Sequence, residues 1–348
     1  MKKIIQISLL GLLFLFLAAC GNESSEASGD NGDESGDNEG EAAKEVSIDF
    51  GHGAAETNVR HEAVVKFKEI VEEESDGAIT VNIFANETIG SEPEMIENVS
   101  LNNLEMALAG AGIYTQYDPL MGATGLPYLF DSYEHAWKVL DGKVGDMVSE
   151  PLLEDNIRIL SFFENGMRHI TNSSHPIETP EDLNGLTIRT PESDVSLDTL
   201  NALGASATPM AFGELYLALQ QGTVDGQENP IANIHASKFN EVQDYISITG
   251  HQYSALPLAI SDDFWTSLSE EQQTIIQDAA NEAGQFHRES IRDNDDKLLQ
   301  ELVDAGMEVN EPNKESFREA VSDVVDNYAE VTSQEFMDEF LAEIESAR

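Results

Sequence analysis

The sequence is poor in cysteine and in basic residues. Cys20 is the one cysteine in 348 residues, which excludes an internal disulfide and a cysteine-rich metal site. Eighteen lysines and arginines stand against 66 aspartates and glutamates, so the formal net charge is −48. A surface of this sign repels nucleic acid and anionic lipid headgroups, and we expect neither as a partner. The acidity is typical of high solubility or adaptation to salt, with a cationic partner as the alternative.

Motifs for catalysis and nucleotide binding are also missing. The chain contains no G-x-S-x-G nucleophile elbow and no G-x-x-x-x-G-K-[ST] phosphate loop. The eight histidines show no metal-ligand spacing. His61-Glu62 begins like the H-E-x-x-H motif of zinc proteases, but the second histidine of that motif is missing. We therefore predict no metal and no cofactor, and a binding protein is favoured over an enzyme.

The N-terminus has the pattern of a lipoprotein signal peptide over residues 1–19. Two lysines precede an apolar run from Ile4 to Ala19, which is shorter than the ~20 residues of a membrane-spanning helix. Leu17-Ala18-Ala19-Cys20 resembles a bacterial lipobox, in which Cys20 receives a lipid and becomes the first mature residue. An uncleaved anchor with an incidental cysteine is the alternative. Residues 20–45, rich in Gly, Ser, Asn, Asp and Glu, are predicted to be a disordered acidic tether.

The remaining chain alternates between helical and strand periodicity. This alternation predicts an α/β fold with mainly parallel or mixed sheets, whose ligands bind beyond the carboxyl ends of strands. Ser269 to Ala305 is predicted as one long helix that braces two lobes, and Glu315 to Ala347 as further helix. The other predicted helices are 57–74, one that opens at Ser91, 132–140, 196–203 and 212–221. The predicted strands are 79–83, 106–109, 158–163, 186–189, 245–249 and 257–260.

Two of the eight arginines follow or end predicted strands. Arg168 comes after the strand that ends at Phe163, and Arg189 ends the strand that begins at Leu186. A chain this acidic repels an anionic ligand at long range, so capture needs a local, desolvated cation. Arginine supplies a rigid fork that matches a carboxylate through two hydrogen bonds. Spacing alone leaves open that both arginines form structural salt bridges.

The stretch from Glu164 to Tyr253 resembles the DctP-type substrate-binding subunit of TRAP (tripartite ATP-independent periplasmic) transporters. A weaker likeness covers nearly the whole mature chain. The matching motifs keep the family's order over about ninety residues: Asn165 to His169, Thr179 to Leu186, Ile188 to Pro191, Leu203 to Ala205, Thr208 to Met210, Glu214 to Gly222, Val224 to Pro230 and Thr249 to Tyr253.

The resemblance implies roles for individual residues. Arg189 matches the arginine that clamps the substrate carboxylate, and Arg168 a second arginine that supports it or reaches another oxygen. Asn229 matches a polar side chain that faces the same carboxylate, and Phe212 an aromatic wall of the cleft. Two histidines, His52 and His251, match positions near the cleft, as ligand contacts or as structural residues. Glu192, with Asn229 and the histidines, is a candidate partner for ligand hydroxyl groups.

The resemblance also implies an architecture and a mechanism. It predicts a two-lobed periplasmic-binding-protein fold, type II-like, with a long helix that spans both lobes. Lobe I is expected from residues 46–166 plus 255–294, and lobe II from residues 167–254 plus 295–348. Hinge closure over a C4-dicarboxylate or a sugar acid would precede delivery to TRAP membrane subunits, powered by an ion gradient.

The lipobox-like N-terminus and the family resemblance also predict a cellular location and an oligomeric state. The chain is expected as a monomer, lipid-anchored through Cys20 on the outer face of the cytoplasmic membrane. A ligand-binding sensor for a receptor and a secreted lipoprotein enzyme are the alternatives to a transport protein.

Overall fold

The computed structural model describes residues 45–348. The predicted signal peptide, Cys20 and the tether up to residue 44 lie outside the described residues. Within them the strands are β1 Val46–His52, β2 Ile79–Phe84, β3 Met106–Leu108, β4 Ile157–Asn172, β5 Thr187–Thr190, β6 Ser206–Pro209, β7 Gly226–Pro230, β8 Tyr245–Ser261 and β9 Glu308–Asn310.

The same residues form twelve α-helices and several 3₁₀ turns. The α-helices are α1 Val59–Glu74, α2 Glu92–Ser100, α3 Tyr133–Leu140, α4 Lys143–Ser149, α5 Asp194–Ala202, α6 Leu215–Gln220, α7 Ile231–Ala236, α8 Asp262–Ser267, α9 Glu270–Asp304, α10 Lys314–Ala320, α11 Ser322–Asp326 and α12 Gln334–Ala347. The 3₁₀ turns are Ala111–Gln116, Pro119–Gly125, Glu150–Asp155, Pro180–Leu183, Phe212–Glu214, Phe239–Glu241 and Asn327–Glu330.

Two long strands, β4 and β8, cross the molecule and join its two lobes. They pair antiparallel from Ile157↔Ser261 to Asn172↔Tyr245, at the centre of one mixed sheet of order β2-β1-β3-β8-β4-β7-β5-β6, with β9 beside β8. Strand β3 pairs with the C-terminal part of β8, whereas β7 pairs with the C-terminal part of β4. Each long strand therefore contributes to both lobes.

The structure corrects the predicted strands at this crossing. We predicted separate strands at 245–249 and 257–260, but β8 is continuous, and β4 extends nine residues beyond the predicted end at Phe163. Arg168 consequently lies within a strand and not after one. The polar residues between the apolar stretches masked this continuity, since the crossing runs along the cleft, and Asn165, Arg168 and Gln252 line a cavity there.

A β-bulge marks the point where β4 passes from one lobe to the other. The register with β8 shifts between Glu164 and Gly166, and Gly166 has φ +120°. A side chain at that position would be strained, and its Cβ would lie 3.1 Å from Cβ of Pro230. Glycine at 166 therefore permits the bend that turns the following residues toward the cleft.

Each lobe buries apolar residues on both faces of its part of the sheet. In the first lobe, Met106 and Leu108 pack with α1 and α9, whereas Ala107 between them packs on the opposite face with α2, α3 and α4. This is the side-chain alternation of a strand that is covered on both faces. The second lobe has two smaller cores, around Ile188 and around Ile246.

Helix α9 is the long helix that the sequence predicted. Its 35 residues span about 52 Å at 1.5 Å per residue. Ser269 caps it, accepting from the backbone N–H of Gln272 in a capping box. Near its start Ala279, Ala280 and Ala283 pack in the core with α1, and near its end Leu302 packs in the core of the second lobe. The helix thus spans both lobes.

The C-terminal segment is divided into several short helices, and its last helix packs against a different lobe than predicted. Instead of one long helix over 315–347, the chain forms α10, α11, a 3₁₀ turn and α12. Helix α12 buries Met337, Phe340 and Ile344 in the first-lobe core beside α3 and α4. The assignment of 334–347 to lobe II does not fit this packing, because these side chains complete the apolar core of the other lobe. The remaining lobe boundaries stay a prediction.

Candidate functional site

A cavity of about 70 Å³ lies between the lobes, where β4 and β8 cross. Elements of both lobes line it, and its apolar lining includes Ala111, Ile113, Val195, Phe212 and Tyr253. The polar side chains that line it are Arg60, Glu87, Glu92, Asn165, Arg168, Arg189, Glu192, Ser193, Ser196, Asn229, Asn233, Gln252 and Ser254. Such a concave site with convergent polar groups is typical of small-molecule binding.

Arg189, on β5, is a buried cation without an acidic partner. It is 2% exposed, and its Nε and Nη2 donate to the carbonyl oxygen of Met210 at 2.9 and 2.5 Å. Its guanidinium carbon lies 5.8 Å from the centroid of the Phe212 ring, within the range of a cation–π contact. Burial lowers the pKa of Arg189 to about 10, opposed by the charge of Glu228. Among the described residues no carboxylate forms an ion pair with it, so its positive charge is available to a ligand.

Arg168, on β4, differs in being already neutralised. Its Nη2 donates to Oε1 of Glu228 at 2.9 Å and to the Glu228 carbonyl at 2.8 Å, and its Nε contacts Oε2 of the same carboxylate. Burial would raise the pKa of Glu228, but the Arg168 guanidinium holds it below its usual value. The salt-bridge alternative of the sequence analysis therefore holds for Arg168 and not for Arg189.

A chain of amide groups forms one wall of the cavity. Asn229 is 2% exposed, and its Oδ1 accepts from Nδ2 of Asn233 at 3.2 Å. Asn233 also donates to Oδ1 of Asn165 at 3.0 Å, which accepts in turn from Nη2 of Arg60 at 3.0 Å. Nη1 of Arg60 donates to Oε1 of Glu92 at 2.8 Å. These groups hold one another in place and offer several hydrogen-bond partners to a hydroxylated ligand.

The structure brings five of the seven predicted ligand-binding residues to the cavity. They are Arg189, Arg168, Asn229, Phe212 and the exposed Glu192. Their proximity follows from the topology, since β5 and β7 are neighbours and β7 pairs with β4.

The two predicted histidines are not among the residues that line the cavity. Nε2 of His52 lies 3.1 Å from Nδ1 of His61, and burial, followed by Arg60 and His61, lowers the pKa of His52 to about 3. Nδ1 of His251 lies 2.8 Å from Oγ1 of Thr249, and its Nε2 lies 3.5 Å from Oε2 of Glu228. His251 thus stands behind the Arg168–Glu228 pair.

Several cavity residues were missed by the sequence analysis. Arg60 carried a usable signal, because it shares the buried face of α1 with Val64, Phe67 and Val71 at helical spacing. A charged residue on an apolar helix face requires a partner or a ligand. Glu87, Glu92, Asn165 and Asn233 had no such signal, since polar residues in an acidic chain are common. These four residues are identified as cavity residues only by the three-dimensional structure, which brings them together at one cleft.

Two further features of the described residues bear on function. Between residues 45 and 348, no helix combines the length and hydropathy that crossing a membrane requires. Over the same range, no group of three or more His, Cys, Asp or Glu side chains is arranged to hold a metal ion.

The two-lobed fold and its buried arginine cleft define the class of extracellular solute-binding proteins, and comparison with known proteins specifies the family. The chain matches the family model "Bacterial extracellular solute-binding protein, family 7" (DctP) over residues 50–331, and it belongs to that family, the binding subunits of TRAP transporters. The family resemblance and the two-lobed α/β fold predicted from the sequence are thereby confirmed. This is a family of transport proteins and not of enzymes, and several named relatives are periplasmic proteins, consistent with an extracytoplasmic location.

Individual relatives agree with this assignment. The 2,3-diketo-L-gulonate-binding periplasmic protein YiaO of Escherichia coli (strain K12) is 34% identical, over 80% of this chain and 85% of the relative. The sugar acid binding protein DctPAm of Advenella mimigardefordensis strain DPN7T, solved with galactonate, has a TM-score of 0.85 and 32% identity, over 88% of this chain and 100% of that structure. An uncharacterized protein y4mM of Sinorhizobium fredii is 38% identical over 81% of this chain. The match covers about half (52%) of the length of y4mM.

Proposed function

We propose that this protein captures a sugar acid with a single carboxylate and delivers it to TRAP membrane subunits. The observation that carries the proposal is the unpaired charge of Arg189. Of the three cavity arginines, Arg60 is paired with Glu92 and Arg168 with Glu228. One free cation supports one ligand carboxylate, bound through the remaining guanidinium N–H groups.

The rest of the cavity supports a hydroxylated ligand over a C4-dicarboxylate. A dicarboxylate needs a second cation, and Arg168, the candidate for that role in the sequence analysis, is engaged by Glu228. The amides of Asn165, Asn229 and Asn233 and the carboxylate of Glu87 are instead partners for hydroxyl groups. The galactonate bound by DctPAm and the diketogulonate named for YiaO are acids of this kind.

Closure of the two lobes is the proposed mechanism. Arg189 and Phe212 lie in one lobe, whereas Arg60, Glu87 and Glu92 lie in the other, so a bound acid would bridge them. In this scheme the protein binds and releases its ligand without turnover. The lipid on Cys20 would hold the monomeric binding protein near its membrane partners, and a sensor role with the same ligand site is the alternative.

Thermal unfolding against a panel of aldonates, uronates and C4-dicarboxylates tests the ligand site. A ligand at ~100 times its dissociation constant is expected to stabilise the protein by about 2.7 kcal/mol. Arg189→Ala should remain folded and lose that shift. Arg318→Ala is the matched control, since Arg318 also forms no ion pair with a carboxylate among residues 45–348 but is exposed and lies over the Tyr128 ring. An Arg189→Ala protein that responds like the parent would exclude the proposed clamp.

Separate experiments address the anchor and the alternative role. Cys20→Ser is expected to release the protein from the membrane fraction into the soluble fraction, and unchanged membrane association would exclude lipidation at this residue. Loss of ligand uptake on deletion of the gene supports transport. Unchanged uptake with a lost transcriptional response would indicate sensing.

A further inference from the structure

Glu87 reaches into the cavity from the lobe opposite to Arg189. It follows β2 in a turn where Asn86 and Glu87 both have left-handed backbone angles, φ +58° and +55°. Few residues other than glycine adopt this conformation without strain, and such strain tends to accompany function. The turn directs the Glu87 side chain across the cleft, where its Oε2 accepts from the backbone N–H of Gly213 at 2.8 Å.

The backbone that contacts Glu87 is the same segment that positions Arg189. The carbonyl of Met210 holds the Arg189 guanidinium, the ring of Phe212 packs against it, and Gly213 follows directly. A Cβ on Gly213 would lie 2.6 Å from Oε2 of Glu87, so the carboxylate rests closely on this backbone. A ligand whose carboxylate is bound by Arg189 therefore extends its remaining carbons into a cavity that Glu87 also lines.

Glu87 is also a carboxylate of the cavity without a basic partner. Glu92 is paired with Arg60 at 2.8 Å, whereas no lysine, arginine or histidine among residues 45–348 forms an ion pair with Glu87. A carboxylate has about four acceptor sites, and the Gly213 N–H occupies one of them. Burial, followed by the charge of Glu92, raises the pKa of Glu87 to about 7, and the N–H of Gly213 and the charge of Arg189 only partly oppose this rise.

We propose that Glu87 is a specificity-determining residue, which accepts a hydrogen bond from a hydroxyl group of the ligand and repels a second carboxylate. It thereby admits sugar acids with one carboxylate and excludes those oxidised at both ends. The inference rests on the proposed function, since it takes Arg189 as the site of the first carboxylate. Glu87 also joins the two lobes directly, because its carboxylate accepts from the N–H of Gly213 on the opposite side of the cleft.

Isothermal titration of the mature protein with galactonate and galactarate tests this role at pH 8.5, above the pKa of about 7, where Glu87 is charged. The two ligands share a carbon skeleton and differ in whether the terminal carbon is a hydroxymethyl or a carboxylate group. The parent is expected to prefer galactonate. Glu87→Gln removes the charge while its amide oxygen can still accept from Gly213, and it should lower that preference by about tenfold or more. Glu56→Gln, an exposed change of equal charge outside the cavity, should leave the preference unchanged.

The outcomes separate this inference from the proposed function. If Arg189→Ala abolishes binding of both acids but Glu87→Gln leaves their ratio unchanged, the role of Glu87 is overturned and the clamp stands. If Arg189→Ala still binds both acids, the clamp itself fails. Should Glu87→Gln not fold, Glu87→Asp serves instead, because it keeps the charge and withdraws the carboxylate. It should weaken galactonate binding and still disfavour galactarate, and parental affinity for galactonate would contradict the proposal.

Discussion

Arg168 and Glu228 form an ion pair in which the side chains are 4% and 0% exposed. The carboxylate bridges Nε and Nη2 of the guanidinium, and the Glu228 carbonyl accepts from the same Nη2. Burying two charges is costly, and the pair compensates through these three contacts. Arg168 is thereby fixed next to the cavity while its charge is withheld from the ligand.

Replacement of Glu228 by glutamine should destabilise the protein by about 3–5 kcal/mol, because it leaves the buried Arg168 without a counter-charge. Urea denaturation measures this loss. The matched control is Glu282→Gln, which breaks the exposed pair with Lys66 (2.6 Å) and should change the free energy of unfolding by less than about 1 kcal/mol. Equal effects of the two substitutions would argue against a structural role for the buried pair.

Gly112 and Ser193 approach each other across the cleft, and an alanine at 112 should hinder its closure. A Cβ there would lie 2.3 Å from Oγ and 2.5 Å from Cβ of Ser193. We expect Gly112→Ala to lower ligand affinity by tenfold or so, with little change in the unfolding midpoint of the unliganded protein. The double variant Gly112→Ala, Ser193→Gly removes the clash and should recover most of the affinity. Failure of this rescue would show that the loss has another origin.

The buried Glu164 should make stability depend on pH. Its Oε2 accepts from Nε1 of Trp137 at 2.6 Å and from the Tyr253 hydroxyl at 2.9 Å, yet burial raises its pKa from 4.5 to about 8. The folded state therefore holds more protons than the unfolded state between these values, and this group's contribution to stability falls as pH rises through that window. Glu164→Gln, whose amide oxygen accepts both donors, should gain stability relative to the parent between pH 5 and pH 8.

Urea denaturation at the two pH values measures this difference. Glu56→Gln is the control, since Glu56 is exposed and its replacement should not alter the pH dependence. The prediction is wrong if the free-energy difference between Glu164→Gln and the parent is the same at pH 5 and pH 8.

The net charge of −48 predicts stabilisation by salt. Screening lengths fall from about 10 Å at 0.1 M to 3 Å at 1 M, which weakens repulsion among surface carboxylates in the compact state. Thermal unfolding in 0.1 and 1 M sodium chloride should therefore show a higher midpoint at the higher concentration. Potassium chloride is the control for specific cation binding, because screening alone gives the same rise with either salt. An unchanged midpoint would show that surface repulsion is minor.

Regular periodicity made much of the fold predictable from sequence. Helices α1 and α9 were predicted within about two residues, because each combines a cap with an apolar face at helical spacing. The crossing strands were predicted only in fragments, since their central residues face the cleft and lack the alternation of a core strand. The placement of α12 against the first lobe depends on contacts over about 200 residues of sequence, and no local pattern encodes it.

The residues of the candidate site could be predicted from the sequence where they match the family pattern. The family resemblance predicted Arg189, Arg168, Asn229 and Phe212 as ligand-binding residues, and all four line the cavity. The family motifs could not reveal that Arg168 is neutralised and Arg189 is not, because that difference depends on Glu228, a neighbour across a strand pair. The same motifs suggested His52 and His251 as possible contacts, and the structure places both outside the lining.

The packing of α12 has a consequence for the order of folding during export. Met337, Phe340 and Ile344 pack in a core whose other members begin at Met95, so the residues up to Ile344 must be translocated before this core can close. The N-terminal half would cross the membrane as an incomplete fold, with α3 and α4 uncovered. A chain truncated before Gln334 should therefore expose apolar surface in the first lobe and be a target for extracytoplasmic proteases, even though the cavity residues themselves are all present.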